Sequence, residues 1–187
     1  MIDLKTKTHS TISIFVNSIF LILILTTNIA CNSVKYDSVE VNYLNAHDGI
    51  RLSGTLTIPL GKKIFPAVIL IQGSGPHNRD EEILGHKPFQ VIADYLSNNG
   101  IAVLRVDRRG CGKSEGTYLP LDLNHSVEDA LYGIKFLKSY PNIDKNKIGV
   151  VGHSLGGLIA AMASSRTNDI AFIISLAGPG IWGKNIL

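Results

Sequence analysis

The chain has 187 residues, of which 45% are hydrophobic and 18% charged, and its net charge at pH 7 is +3. This length and hydrophobicity suffice for one domain with its own core, whereas the small, scattered charge argues against a nucleic-acid-binding surface. Two cysteines, without a C-x-x-C motif or a histidine cluster, support neither a disulfide framework nor a metal site. We therefore expect no nucleic-acid partner and no cofactor.

The first 30 residues have the layout of a secretory signal, with a basic start followed by an apolar stretch over residues 12–25. Ala30 then precedes Cys31, which resembles a bacterial lipoprotein cleavage site where the cysteine is lipidated. The alternative is an uncleaved anchor, because residues 12–30 approach the roughly 20 residues that span a bilayer. Both interpretations predict a protein of the cell envelope, held at a membrane and facing away from the cytoplasm, with residues 31–37 as a linker.

The folded part is predicted to begin at residue 38 with two strands. Apolar residues alternate with polar ones before and after the turn at Asp48 and Gly49, which predicts an antiparallel pair at a sheet edge. Residues 67–71 form a continuous apolar run, typical of a strand buried on both faces. The strand is followed by the glycine-rich loop Gln72-Gly73-Ser74-Gly75-Pro76, whose backbone N–H groups can face a ligand.

Strands and helices then alternate. Pro88 suits the first turn of a helix that ends near Gly100, and a second helix is predicted from Ser126, with Asp129 completing a capping box. Between and after these helices, residues 101–106 and 171–176 are predicted strands, the latter buried on both faces. This alternation predicts an α/β fold with a mainly parallel sheet.

The segment Gly152-His153-Ser154-Leu155-Gly156 reads G-x-S-x-G, the pattern of a nucleophile elbow. Such a serine lies on a strained turn between a strand and a helix, where glycines two residues before and after it avoid a collision. Residues 147–151 predict the strand, and apolar residues at helical spacing after Leu155 predict the helix. The order strand, elbow, helix therefore favours Ser154 as a nucleophile.

A second G-x-S-x-G, centred on Ser114, lacks this context. No strand runs directly into it, and Pro120 biases Leu119 away from helical geometry. Asp107 also stands where a phosphate-binding loop would need glycine. Ser114 is therefore interpreted as a loop residue.

Three segments, each after a predicted strand, resemble motifs of the α/β-hydrolase superfamily: the loop from Gly73 to Asp80, the turn from Asp107 to Ser114, and the elbow. The resemblance covers about residues 39–180 and is closest to esterases related to serine aminopeptidases and dienelactone hydrolases. It implies that residues 38–187 are the N-terminal part of an α/β-hydrolase domain: a mostly parallel sheet with helices on both faces, from which the last strands are missing.

The resemblance also implies hydrolysis of carboxylic esters through an acyl-enzyme on Ser154, with peptides or thioesters as alternative substrates. The oxyanion formed on attack needs two backbone N–H donors. One would come from Leu155, directly after the nucleophile, and the other from the loop after the third strand. Ser74 is the preferred donor in that loop, and Gly73 and Gly75 remain open.

The acid and the histidine of a catalytic triad follow the nucleophile in this fold, yet all six histidines precede Ser154. Asp169, the one acid after it, falls before the last strand and so at the wrong end of the sheet. His77 is an alternative base, His153 is expected to be structural, and Asp107 is expected to stabilise a turn. A C-terminal truncation would account for the missing residues. The alternative is a non-catalytic, membrane-tethered binding protein with a hydrolase fold.

Overall fold

Six strands and three helices build the part of the chain that the computed structural model describes, residues 35–61 and 63–180. The strands are β1 (Tyr36–Asn45), β2 (Ile50–Pro59), β3 (Phe65–Ile71), β4 (Ala102–Val106), β5 (Ile143–His153) and β6 (Phe172–Leu176). The helices are α1 (Pro88–Asn98), α2 (Leu123–Ser139) and α3 (Leu155–Ser164).

The predicted signal segment, residues 1–30, and the predicted lipidation site Cys31 lie outside the described residues. Strand β1 begins at Tyr36, so the last two residues of the predicted linker belong to the strand. Within residues 35–61 and 63–180, none of the helices combines the length and the apolar character needed to cross a membrane.

The sheet has the strand order β1-β2-β4-β3-β5-β6. Strands β1, β2 and β4 pair antiparallel, and β4, β3, β5 and β6 pair parallel. This confirms the predicted antiparallel pair at one edge, followed by parallel strands. Because parallel strands all end at the same edge of a sheet, the loops after β3, β4 and β5 converge there.

Helices cover both faces of the sheet, as the predicted fold class requires. On one face, Phe89 and Ala93 of α1 pack into a cluster with residues of β3, β4 and β5. On the other face, the apolar residues of α2 and α3 join a larger cluster with all of the first five strands. Burial on both faces explains why β3 and β4 are continuous apolar runs and do not alternate.

The predicted start of α2 is wrong. The helix begins at Leu123, and its N-cap is Asp122, whose side chain accepts a hydrogen bond from the His125 N–H. Asp129 is not part of a capping box, because both of its carboxylate oxygens accept hydrogen bonds from Arg109, each at 2.7 Å. The Asp129 carboxylate therefore binds the buried Arg109 and does not cap the helix.

The apolar side chains of β6 are only partly covered by the described residues. This strand comes last in the sheet order, and Phe172, Ile173 and Ile174 are 42%, 42% and 45% exposed. The apolar sequence correctly predicts a strand, but an edge strand that pairs with β5 alone among the described strands leaves its side chains partly open.

Candidate active site

Ser154 lies between the last residue of β5 and the first residue of α3, as the elbow pattern predicts. Its backbone has φ 50° and ψ −117°, a conformation that costs energy in any residue with a Cβ atom. Two hydrogen bonds hold it there: the Ser154 N–H donates to Leu176 O at 2.9 Å, and the Gly157 N–H donates to Ser154 O at 3.0 Å. Neighbouring elements thus stabilise the strained turn.

The two glycines of the motif are required by close backbone contacts. A Cβ atom on Gly152 would lie 2.1 Å from Gly156 O, and one on Gly156 would lie 2.2 Å from Ile71 O. The contacting atoms are backbone atoms, so neither collision could be relieved without displacing β3, β5 or α3. The steric reason inferred from the sequence is therefore confirmed.

The loop after β3 passes directly beside the elbow. A Cβ atom on Gly73 would lie 3.2 Å from the Ser154 Cβ. Leu155 is the first residue of α3, so its N–H belongs to the turn whose donors have no acceptor within the helix. The positive end of the helix dipole at this point favours negative charge. The loop after β3 and the N-terminus of α3 therefore meet at Ser154.

Side chains bind three carbonyl oxygens of this loop. Arg108 donates to Gln72 O at 3.0 Å and to Gly75 O at 2.9 Å, and the His77 Nε2 lies 2.7 Å from Ser74 O. Burial lowers the pKa of Arg108, while neighbouring groups that include Glu81 oppose this shift. The Gln72 and Ser74 carbonyls belong to the peptide groups on either side of the Gly73–Ser74 peptide, so these contacts hold both neighbours of the Ser74 N–H.

The three candidate residues for the second oxyanion donor differ in their backbone hydrogen bonds. The Gly73 N–H donates to the Glu81 Oε1 at 2.6 Å, so it is already engaged. The Ser74 N–H has no acceptor among the residues that the structure describes, and Ser74 is exposed. The Gly75 N–H likewise has no acceptor among the described residues, so Ser74 and Gly75 both remain candidate donors, with Ser74 the more exposed.

The candidate bases and acids lie at different places around the sheet. The His153 Nδ1 is 2.9 Å from the Glu81 Oε1, and His77 contacts the loop carbonyl described above. Asp169 precedes β6 and pairs with Lys138 near the end of α2, at the opposite end of the strands from Ser154. The sequence-based exclusion of Asp169 from the site agrees with this position.

Asp107 stabilises the turn after β4. Its carboxylate accepts hydrogen bonds from the Arg79 N–H at 2.8 Å, the Arg79 Nη2 at 2.7 Å and the Lys113 N–H at 3.0 Å. Burial raises the pKa of Asp107, but the hydrogen bonds from Arg79 and Lys113 outweigh it, and the net pKa is lowered. The side chain is engaged in the turn role that the sequence favoured.

We expect Asp107→Asn to destabilise the fold at pH 7 by about 3 kcal/mol, because Arg79 loses its buried partner. A carboxylate with a lowered pKa stabilises the fold above its ordinary pKa of about 4, and this contribution is lost as the pH falls through the lowered value. Urea unfolding should therefore show that the difference from wild type narrows in acid. Exposed Asp37→Asn is the control, and a difference for Asp107→Asn that does not change with pH would contradict the assignment.

Ser114 lies in an irregular segment, as predicted, and its hydroxyl has a structural role. The hydroxyl donates to Asp107 O at 2.6 Å and accepts from the Ser53 N–H at 3.0 Å. The side chain is buried and joins the turn after β4 to strand β2. The two G-x-S-x-G motifs of this chain therefore have different structures.

A strained serine between a parallel strand and a helix, beside a loop with a free N–H donor, defines the nucleophile-elbow class of α/β hydrolases. Residues 86–186, just over half of the chain, match the family described as serine aminopeptidase, S33 (Hydrolase_4). The chain belongs to this family.

Individual relatives agree with this membership. The chain is 40% identical over 117 residues to esterase EstD of Thermotoga maritima, and 34% identical over 140 residues to thiohydrolase aneE of Aspergillus aculeatus. The solved structure of Pyrococcus furiosus esterase Pf2001 superimposes with a TM-score of 0.64 at 27% identity, over 81% of this chain and 56% of that one.

The matched region covers only part of each relative. It is 62% of this chain but 28% of EstD, and 73% of this chain but 40% of aneE. The matched part thus spans less than half the length of these two curated relatives.

Proposed function

We propose that this protein hydrolyses carboxylic esters through an acyl-enzyme on Ser154, with the N–H groups of Ser74 and Leu155 as oxyanion donors. The observation that carries the proposal is the strained backbone of Ser154 beside a loop whose carbonyls are bound and whose Ser74 N–H is free among the described residues. Strain at a residue that its surroundings hold in place is typical of a catalytic position.

In this proposal the Ser154 Oγ attacks the ester carbonyl while a general base takes its proton. The carbonyl oxygen becomes an oxyanion that the two backbone N–H groups stabilise, and its collapse expels the alcohol, which takes the proton back. Water then attacks the acyl-enzyme in the same way and releases the acid. The base and its acid partner follow the nucleophile in the chain order of this fold, so the tests use the protein expressed from its complete gene.

Esters are the proposed substrate class because EstD and Pf2001 are both described as esterases. A panel of p-nitrophenyl acetate and butyrate, an acyl thioester and an amino-acid p-nitroanilide tests the choice. We expect the highest kcat/KM for the esters. Faster cleavage of the thioester or the anilide would instead place the protein with the thiohydrolases or the peptidases. No turnover of any substrate would favour the non-catalytic binding protein.

We also propose that Cys31 is lipidated and holds the protein at the membrane of a bacterial cell envelope. The sequence of the first 31 residues supports this proposal: a basic start, an apolar stretch, and a small residue before the cysteine.

We expect the protein to incorporate labelled palmitate and to partition into detergent, and Cys31→Ser to abolish both. Cys111→Ser is the matched control, because Cys111 lies within the folded part and should leave labelling unchanged. Membrane retention of Cys31→Ser with an uncleaved leader would show that the segment is a transmembrane anchor.

A further inference from the structure

Glu81, in the segment that follows the loop after β3, is a buried acid that the proposed reaction does not use. It is 2% exposed, although both following residues are exposed. Its backbone has φ 51°, a left-handed conformation that is uncommon outside glycine. A strained backbone that carries a carboxyl side chain into the interior indicates that this side chain has a specific role there.

One oxygen of Glu81 bridges the two halves of the site. The Oε1 accepts a hydrogen bond from the Gly73 N–H at 2.6 Å and lies 2.9 Å from the His153 Nδ1. An ionised carboxylate can only accept, so a hydrogen bond from His153 to it requires the imidazole proton on Nδ1. Gly73 belongs to the loop after β3, here called the oxyanion loop (Gln72 to Pro76), and His153 is the residue directly before Ser154. The bridge therefore connects the oxyanion loop to the elbow.

The bridge also engages the Gly73 N–H and leaves the N–H groups of Ser74 and Gly75 without an acceptor among the described residues. Glu81 binds the N–H of the Gln72–Gly73 peptide and Arg108 binds its carbonyl, while His77 contacts the carbonyl of the Ser74–Gly75 peptide. The two peptide groups on either side of the Ser74 N–H are therefore held in place, which restricts its orientation. Without the Glu81 oxygen, the loop would gain a free Gly73 N–H and lose its tie to the elbow.

We propose that Glu81 is a positioning residue that sets the oxyanion hole by tying the Gly73 N–H to the His153 imidazole. The inference rests on the proposed acyl-enzyme function of Ser154. It assigns to Glu81 an effect on the transition state and none on substrate binding, because the oxyanion forms only during the reaction.

The test compares Glu81→Ala and Glu81→Gln in the protein expressed from its complete gene. Loss of an oxyanion donor costs about 10²–10³ in kcat, and we expect Glu81→Ala to lower kcat for p-nitrophenyl butyrate by about 100-fold with KM changed by less than about twofold. Glutamine keeps an oxygen that can accept from both Gly73 and His153, so Glu81→Gln should recover most of the rate. Affinity for a trifluoromethyl ketone, which forms a tetrahedral adduct with the serine, should fall in parallel with kcat/KM.

Glu82→Ala is the matched control, since the exposed Glu82 contacts Asn78 and Lys87 and should leave the rate unchanged. Rates are taken per titrated active site, so that a loss of folded protein does not count as a loss of kcat. If Glu81→Ala keeps the wild-type kcat, or Glu81→Gln falls as far as Glu81→Ala, the positioning role is wrong. If the wild type is inactive or Ser154→Ala equals it, the proposed function itself fails.

Discussion

Replacing Ser154 with alanine is expected to lower kcat/KM for p-nitrophenyl butyrate by about 10⁴–10⁶-fold. Alanine cannot form the acyl-enzyme, and the activity that survives loss of a serine nucleophile comes from the oxyanion hole and substrate binding alone. The folded state should be unaffected or slightly stabilised, because the hydrogen bonds from this turn to Leu176 and Gly157 are made by the Ser154 backbone, which alanine keeps.

Ser114→Ala is the matched control, since it changes the same residue type in the same sequence motif. Its hydroxyl makes two hydrogen bonds between β2 and the turn after β4, and loss of a buried partner costs about 1–3 kcal/mol. We therefore expect lower stability with unchanged kcat, the reverse of the result for Ser154→Ala. Equal rates for Ser154→Ala and the wild type would reject the nucleophile assignment.

Gly152→Ala is expected to be the most damaging single methyl group in the described fold around the site. Its Cβ would lie 2.1 Å from Gly156 O, 2.2 Å from Gly156 C and 2.5 Å from Gly157 N. All three atoms are backbone, so a side-chain rotation cannot relieve the contact. We expect a loss of about 3 kcal/mol or more in the free energy of unfolding, together with a large loss of kcat because the elbow must open.

Gly180→Ala serves as the control for this prediction, because a Cβ atom there meets nothing within 4 Å. Chemical unfolding and ester hydrolysis of both variants provide the comparison. A Gly152→Ala protein as stable and as active as Gly180→Ala would show that the elbow is not as tightly packed as described.

The sequence predicted the fold well because its signals are local. Continuous apolar runs identified β3 and β4, and the spacing after Leu155 identified α3, because burial on both faces and a helical period each leave a pattern within a few residues. Edge position leaves no such pattern. The apolar run of β6 is typical of a strand buried on both faces, and among the described residues Ile173 and its neighbours are partly exposed because no described strand follows β6 in the sheet.

The contacts around Ser154 were only partly predictable, for the same reason. Ser154 and Leu155 belong to one motif, whereas the Glu81 contact with His153 joins residues 72 positions apart and depends on how two loops meet. A buried acid in a polar segment looks the same in sequence as an exposed one. Asp129 illustrates the opposite error, since a local capping pattern predicted its role and a distant arginine determines it.

The most direct test of Ser154 as the nucleophile is to map a fluorophosphonate adduct in the protein expressed from its complete gene. We predict one adduct per chain, on the peptide that contains Ser154, with ester hydrolysis lost in proportion to labelling and the label absent from Ser154→Ala. Labelling of a different residue, or ester hydrolysis that persists when Ser154 is fully labelled, would contradict the assignment of Ser154 as the nucleophile.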